Sequence, residues 1–188
     1  MKNKKGFSLI EVLVTIGIFS IISGAIYSVY LFNQKAYRDS ETLIEITQNA
    51  RVISERMTRE IRQAKDIVTD LDDQEPQESV NPATGIIFED GHITDSYNYI
   101  RYFKDGADIK REVVGYYFSG NPGTLVPFGS TPPQGQTLAT TTLESAKVIG
   151  EYASGLKFWG TKLINISVSL QKNGKSILSE TGVLVRNF

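Results

Sequence analysis

One stretch constrains this chain more than any other. From Phe7 to Phe32 the sequence F-S-L-I-E-V-L-V-T-I-G-I-F-S-I-I-S-G-A-I-Y-S-V-Y-L-F carries a single charge, Glu11, among apolar, small and hydroxyl side chains. About 20 helical residues at a rise of 1.5 Å cross the hydrocarbon core of a bilayer, so the run is long enough to span one. Lys2, Lys4 and Lys5 precede it, while Lys35 and Arg38 follow, mixed with Asp39 and Glu41. This basic bias predicts a cytoplasmic N-terminus and an extracytoplasmic remainder.

Glu11 is the exception inside the run. A carboxylate in a membrane-spanning helix costs a few kcal/mol and normally has a partner, unless it lies close enough to one end to reach the headgroups. Its setting is specific: a basic leader ends in Gly6, then come Phe7, three more residues, Glu11 and an unbroken apolar helix. An ordinary secretory signal is a competing reading, with Ser23-Gly24-Ala25 as its cleavage site. Such a signal avoids a glutamate in its apolar region, and here the apolar run continues beyond the site.

The pattern G-F-S-L-I-E-V-L-V closely resembles the class III signal of type IV pilins and type II secretion pseudopilins. The resemblance implies cleavage between Gly6 and Phe7 by a membrane prepilin peptidase, N-methylation of Phe7, and a role for Glu11 in subunit assembly. It also implies the fold and the partners. The fold is α+β and pilin-like: a long N-terminal helix, membrane-spanning in its first half and amphipathic in its second, packed on an antiparallel β-sheet. The partners are other pilin or pseudopilin subunits, an inner-membrane assembly platform and the lipid bilayer. Beyond the signal, three stretches resemble the J-type minor pseudopilins and related minor pilins. These are Arg51 to Ala64, Ile100 to Arg111, and the C-terminal part from S-G-L-K-F near Phe158 to V-L-V-R-N at Asn187.

After the span, no proline or glycine occurs from Gln34 to Val68. Leu43, Ile46, Ala50, Ile53, Met57, Ile61, Ala64 and Val68 recur at spacings of three and four, which is one face of a helix. Arg51, Glu55 and Arg59, and likewise Arg56 and Glu60, set opposite charges four apart on the other face. Unbroken from Phe7 to Val68, such a helix would be roughly 90 Å long. The expected organisation is a cleaved leader at 1–6, a membrane half at 7–32, an amphipathic half at 33–68 and a β-rich extracytoplasmic domain at 69–188.

That domain opens with an acidic connector holding Asp70, Asp72, Asp73, Glu75, Pro76, Glu78 and Pro82. Its carboxylates lack the spacing and turn glycine of a helix–loop–helix calcium site. Three strand candidates follow, at Ile86–Phe88, Tyr97–Phe103 and Ile109–Phe118, separated by Asp90-Gly91 and Asp105-Gly106; they predict an antiparallel meander. Ser119 to Ser145 is rich in glycine, proline and threonine and is expected to be a long loop. Ile164, Ile166, Val168 and Leu170 then alternate with polar residues up to Asn173-Gly174, a tight-turn pair. Pairing Lys172 with Lys175 sets Leu170 opposite Ile177 and Ile164 opposite Val183.

Composition speaks against an enzyme and against a nucleic-acid reader. There is no cysteine and a single histidine, His92, in a predicted turn. Thiol nucleophiles, thiolate zinc sites and two-histidine metal sites are therefore absent, and no cofactor is expected. Gly174-Lys175-Ser176 ends like a phosphate loop, but Ser169 stands where the first glycine should be. Without the leader lysines, 17 basic residues face 21 acidic ones, so no nucleic-acid partner is expected. Tyr97, Tyr99, Tyr102, Tyr116, Tyr117 and Trp159 read as strand core rather than as a base-stacking platform. The sequence thus leaves two functions: a non-enzymatic, minor filament subunit, or a single-pass anchor for an extracytoplasmic binding or sensor domain.

Overall fold

The computed structural model describes residue 6 and residues 8–73, 83–92 and 96–186. Phe7, the leader lysines, Glu75, Pro76, Glu78, Pro82 and Asn187 lie outside the described residues. The chain divides into two compact units, Met1–Thr42 and Leu43–Phe188. Its elements are one helix, α1 (Leu9–Arg62), and strands β1 (Gly85–Glu89), β2 (Tyr99–Asp105), β3 (Asp108–Phe118), β4 (Asn121–Val126), β5 (Leu138–Gly150), β6 (Ala153–Trp159), β7 (Leu163–Lys172) and β8 (Lys175–Leu184). All strand pairs are antiparallel. Five strands form one sheet, in the order β1-β2-β3-β4 with β5 also on β3, and β6-β7-β8 form a second. The fold is α+β, a long helix packed on antiparallel sheets, consistent with the pilin fold.

The helical periodicity translates directly into burial. Ile46, Ala50, Ile53, Met57 and Ile61 are all but inaccessible and pack with Phe88, Tyr102, Phe158, Ile164, Val168 and Leu170 from both sheets. Leu43, first of the periodic series, is exposed instead, so the packed face starts one turn later. The α-helix also stops at Arg62, short of Val68. Gln63 and Ala64 donate to carbonyls three residues back, at 3.1 Å each. Beyond them the backbone lies along β1: Lys65 N–H donates to the Glu89 carbonyl, Glu89 N–H to Asp66 and Val68 N–H to Ile87. The sheet edge offers these backbone groups partners, and that competes successfully with another turn of helix. Gly91 permits the approach, since a Cβ there would lie 1.9 Å from the Gln63 carbonyl oxygen.

The predicted meander is present as β1, β2 and β3, with Asp105 paired to Asp108 across a turn led by Gly106 at φ 61°. The expected loop at 119–145 is a correction: it holds β4 and most of β5. Tyr116, Gly115 and Val114 of β3 pair with Thr140, Thr141 and Thr142 of β5. Threonine suits a pleated, half-exposed strand, so the composition that suggested a loop also suits an edge strand. The prolines of 119–145 keep to permitted places: Pro122 in β4, which pairs with β3 alone, and Pro127, Pro132 and Pro133 between β4 and β5. That connection is pinned where Phe128 N–H donates to the Tyr99 hydroxyl at 2.8 Å.

The C-terminal hairpin has the register read from the sequence. Lys172 pairs with Lys175, Leu170 with Ile177 and Ile164 with Val183. Asn173 and Gly174 take φ of 49° and 75°, the two left-handed positions such a turn requires.

Candidate processing and assembly site

The N-terminal part of α1 is built from side chains that bury nothing within its own unit. Leu9, Phe19, Ile21 and Phe32 are 80%, 71%, 75% and 72% exposed, and none of the most apolar stretch is buried. An apolar surface this continuous marks a lipid or protein contact rather than a solvated helix. Polar groups within it are answered locally. The hydroxyls of Thr15, Ser20 and Ser28 donate to carbonyls four residues back, at 2.6, 2.8 and 3.0 Å, so they add no unmet donor to an apolar medium.

Glu11 lies in the first turn of this helix, which begins as the Ser8 carbonyl accepts from Glu11 N–H at 3.1 Å and Val12 N–H at 3.3 Å. A carboxylate there is favoured by the free N–H groups of the helix end. Its side chain is exposed between apolar neighbours and makes no ion pair or hydrogen bond among the described residues. Gly6 sits before the helix, and a Cβ added to it would meet nothing within 4 Å. The predicted Phe7 lies between them, outside the described residues.

Residues 1–27 match the family model of the prokaryotic N-terminal methylation motif. That match supports a type IV pilin or pseudopilin N-terminus. The pilin-type motif implies processing by a prepilin peptidase and assembly with other pilin subunits, and it points to a structural subunit rather than an enzyme. With the apolar helix behind it, it supports a membrane-anchored pilin. No curated protein and no solved structure matches the chain.

In the second unit several ionisable groups make contacts within the fold. His92 is exposed, with Nδ1 2.9 Å from the Asp90 carboxylate. Among the described residues no group of acidic or histidine side chains could hold a metal ion. Asp73 accepts from the Thr161 hydroxyl at 2.8 Å, which ties down one end of the acidic connector. Tyr99, Tyr102, Tyr116 and Trp159 are buried, whereas Tyr97 is exposed.

One cluster escaped the sequence reading. Glu60, expected on a solvated helix face, accepts from Tyr102 Oη at 2.7 Å and from Arg111 Nε at 2.9 Å; Arg111 Nη1 also reaches Glu144 at 2.9 Å. The side chains of Glu60 and Arg111 are each only 14% exposed. Four elements (α1, β2, β3 and β5) are fixed by this one network. The i,i+4 spacing of Arg56 and Glu60 was visible, and their ion pair forms at 3.4 Å. Nothing local marked the residues from β2, β3 and β5. Burial and the adjacent Glu60 carboxylate raise the pKa of the Tyr102 hydroxyl, holding it neutral.

Proposed function

We propose that this chain is a minor structural subunit of a type IV pilus or type II secretion pseudopilus. It is inserted with its N-terminus in the cytoplasm, cleaved between Gly6 and Phe7, and N-methylated on Phe7. The observation that carries the reading is a carboxylate without a partner among the described residues, on the exposed apolar part of α1, placed five residues after Gly6 within the methylation motif. Hydrolysis of the Gly6–Phe7 amide frees an amine at Phe7; on methylation its neutral form takes a methyl group from a sulfonium-type donor, which leaves as the thioether, and the resulting secondary amine remains protonated at neutral pH. Desolvated alone, that cation and the Glu11 carboxylate are each costly; together they satisfy one another. Removing one partner of such a pair costs about 3–5 kcal/mol. Within a filament the pair therefore favours the axial offset that brings the amine of one subunit to Glu11 of the next.

The openness around Gly6 supports recognition from outside. Among the described residues nothing lies where a Cβ of Gly6 would sit, so on this reading a need for glycine there comes from the enzyme that must approach the backbone. The minor assignment is supported by the likeness of Arg51–Ala64 and Ile100–Arg111 to J-type pseudopilins. In this chain those stretches form the packed part of α1 and the β2–β3 hairpin. Mass spectrometry of the mature N-terminus, with a prepilin peptidase co-expressed, tests the proposal. Methylated Phe7 is expected, and Gly6→Leu should abolish it. An intact Met1 in the wild type, or cleavage of Gly6→Leu at the wild-type rate, overturns it in favour of a static anchor.

A further inference from the structure

Strand β8 borders its sheet and pairs only with β7. Its ladder is regular along its whole length, from Lys175 opposite Lys172 to Leu184 opposite Leu163. A two-residue hairpin turn is closed by a hydrogen-bonded pair, and such pairs then alternate along the ladder. The backbone N–H and C=O groups of Ser176, Leu178, Glu180, Gly182 and Leu184 therefore point away from β7, and none makes a backbone hydrogen bond elsewhere among the described residues.

The other edges differ. The edge of β1 is taken by residues 65–69, β6 is bonded by Ala107 at Ala153 and by Ala83 at Phe158, β5 is broken by register shifts, and β4 is short and contains Pro122. Bulges, prolines, covering segments and charges defend an exposed edge; among the described residues β8 between Ser176 and Leu184 has no bulge, proline or covering segment, and its charges are Lys175 at the turn and Glu180.

Beside this edge runs a groove of about 710 Å³, walled by Ser54, Thr58, Arg59 and Arg62 of α1 and by Leu178 and Thr181 of β8. Three contacts show that α1 and β8 run in the same direction there: Glu45 with Lys172, which pairs with the first residue of β8, Ser54 with Ser179 within β8, and the Arg62 carbonyl with the N–H of Arg186, just past its end. Arg59 and Arg62 thus lie toward the C-terminal end of β8. Both are exposed and lack a carboxylate partner among the described residues, whereas Arg51 on the same wall is paired with Glu55. Leu178, 59% exposed, adds an apolar surface at the middle of the edge.

We propose that β8 accepts an added antiparallel strand from another protein, an extended segment with alternating side chains and carboxylates at its N-terminal end. Main-chain hydrogen bonds supply the docking and the groove reads alternate side chains. In the antiparallel sense the N-terminal end of that segment lies beside Arg59 and Arg62, which sets both its direction and its charge. The inference does not depend on the filament reading.

The test uses the full chain in detergent micelles and a synthetic peptide of alternating valine and threonine, as long as β8, with two N-terminal aspartates. Binding is followed by fluorescence anisotropy and amide hydrogen exchange. Saturable binding is expected, with slowed exchange at Ser176, Leu178, Glu180 and Gly182. Replacing the aspartates by lysines, or combining Arg59→Glu with Arg62→Glu, should weaken binding about tenfold or more, a change of about 1.4 kcal/mol. A peptide N-methylated at the amides that face β8 should not bind, a control that leaves the protein itself unaltered. Absence of saturable binding, equal binding of the N-methylated peptide, or equal binding of the lysine peptide overturns the proposal. So does protection of the same amides by self-association without peptide, which would make a second copy the occupant.

Discussion

Glu11 and Tyr102 show how one ionisable residue is governed by what surrounds it. Glu11 has apolar neighbours and no partner among the described residues, and under the proposed function its partner comes from another subunit. Glu11→Ala should leave membrane insertion and cleavage intact while impairing incorporation into filaments. Crosslinking and pulldown measure this, and co-assembly equal to wild type would remove Glu11 as an assembly determinant. Tyr102 has the opposite situation, fully buried and donating to Glu60. Its raised pKa means that the folded state keeps a proton which the unfolded chain releases above about pH 10. Stability is therefore fully present below that pH and is lost as pH rises through the folded value. Tyr99 and Tyr116, raised chiefly by burial, act in the same direction. Urea unfolding of residues 35–188 between pH 8 and 11 should show the decline, and Tyr102→Phe should make it shallower. An unchanged slope in that variant would assign the decline to other groups.

At the scale of elements, the β7–β8 hairpin depends on its turn. A Cβ at Gly174 would meet nothing within 4 Å, so Gly174→Val acts through backbone strain alone. Forcing a β-branched residue to φ 75° should destabilise residues 35–188 by about 1–3 kcal/mol in thermal or urea unfolding. The contact of α1 with the end of β5 is tight for a different reason. A Cβ on Gly150 would sit 2.1 Å from Ile53 Cδ1, and Ile53 is wholly buried. Gly150→Ala should cost about 1–3 kcal/mol by overpacking. Ile53→Ala alone should cost about 2–5 kcal/mol, and less when Gly150 is already alanine. If the two losses add to within about 0.5 kcal/mol, the two residues are not coupled through this contact.

At the scale of the whole molecule, two parts of one helix meet different demands. Every residue of the main core lies at or beyond Ile46, while the apolar side chains of the first unit remain exposed. Residues 35–188 should therefore be soluble without detergent and unfold in one cooperative urea transition, whereas the full chain should partition into membranes. Aggregation of the fragment, or a second transition, would show that the core depends on the removed segment. Features encoded over a few neighbouring residues were legible before folding. Uninterrupted hydropathy gave a segment long enough to span a bilayer, the order of Gly6, Phe7 and Glu11 gave the processing motif, and Asn173-Gly174 with strict alternation gave the last hairpin and its register. Tertiary structure decided what depends on distant partners. β1 captured the backbone after Arg62 and ended the helix there, β3 drew the threonines of 140–142 into a strand, and folding carried Arg111 onto Glu60 across 51 residues. Periodicity and turn chemistry act over a few residues and can be read from the chain alone. A buried ion pair or an edge pairing exists only once folding has removed the competing water, and no local pattern records which partner will be there.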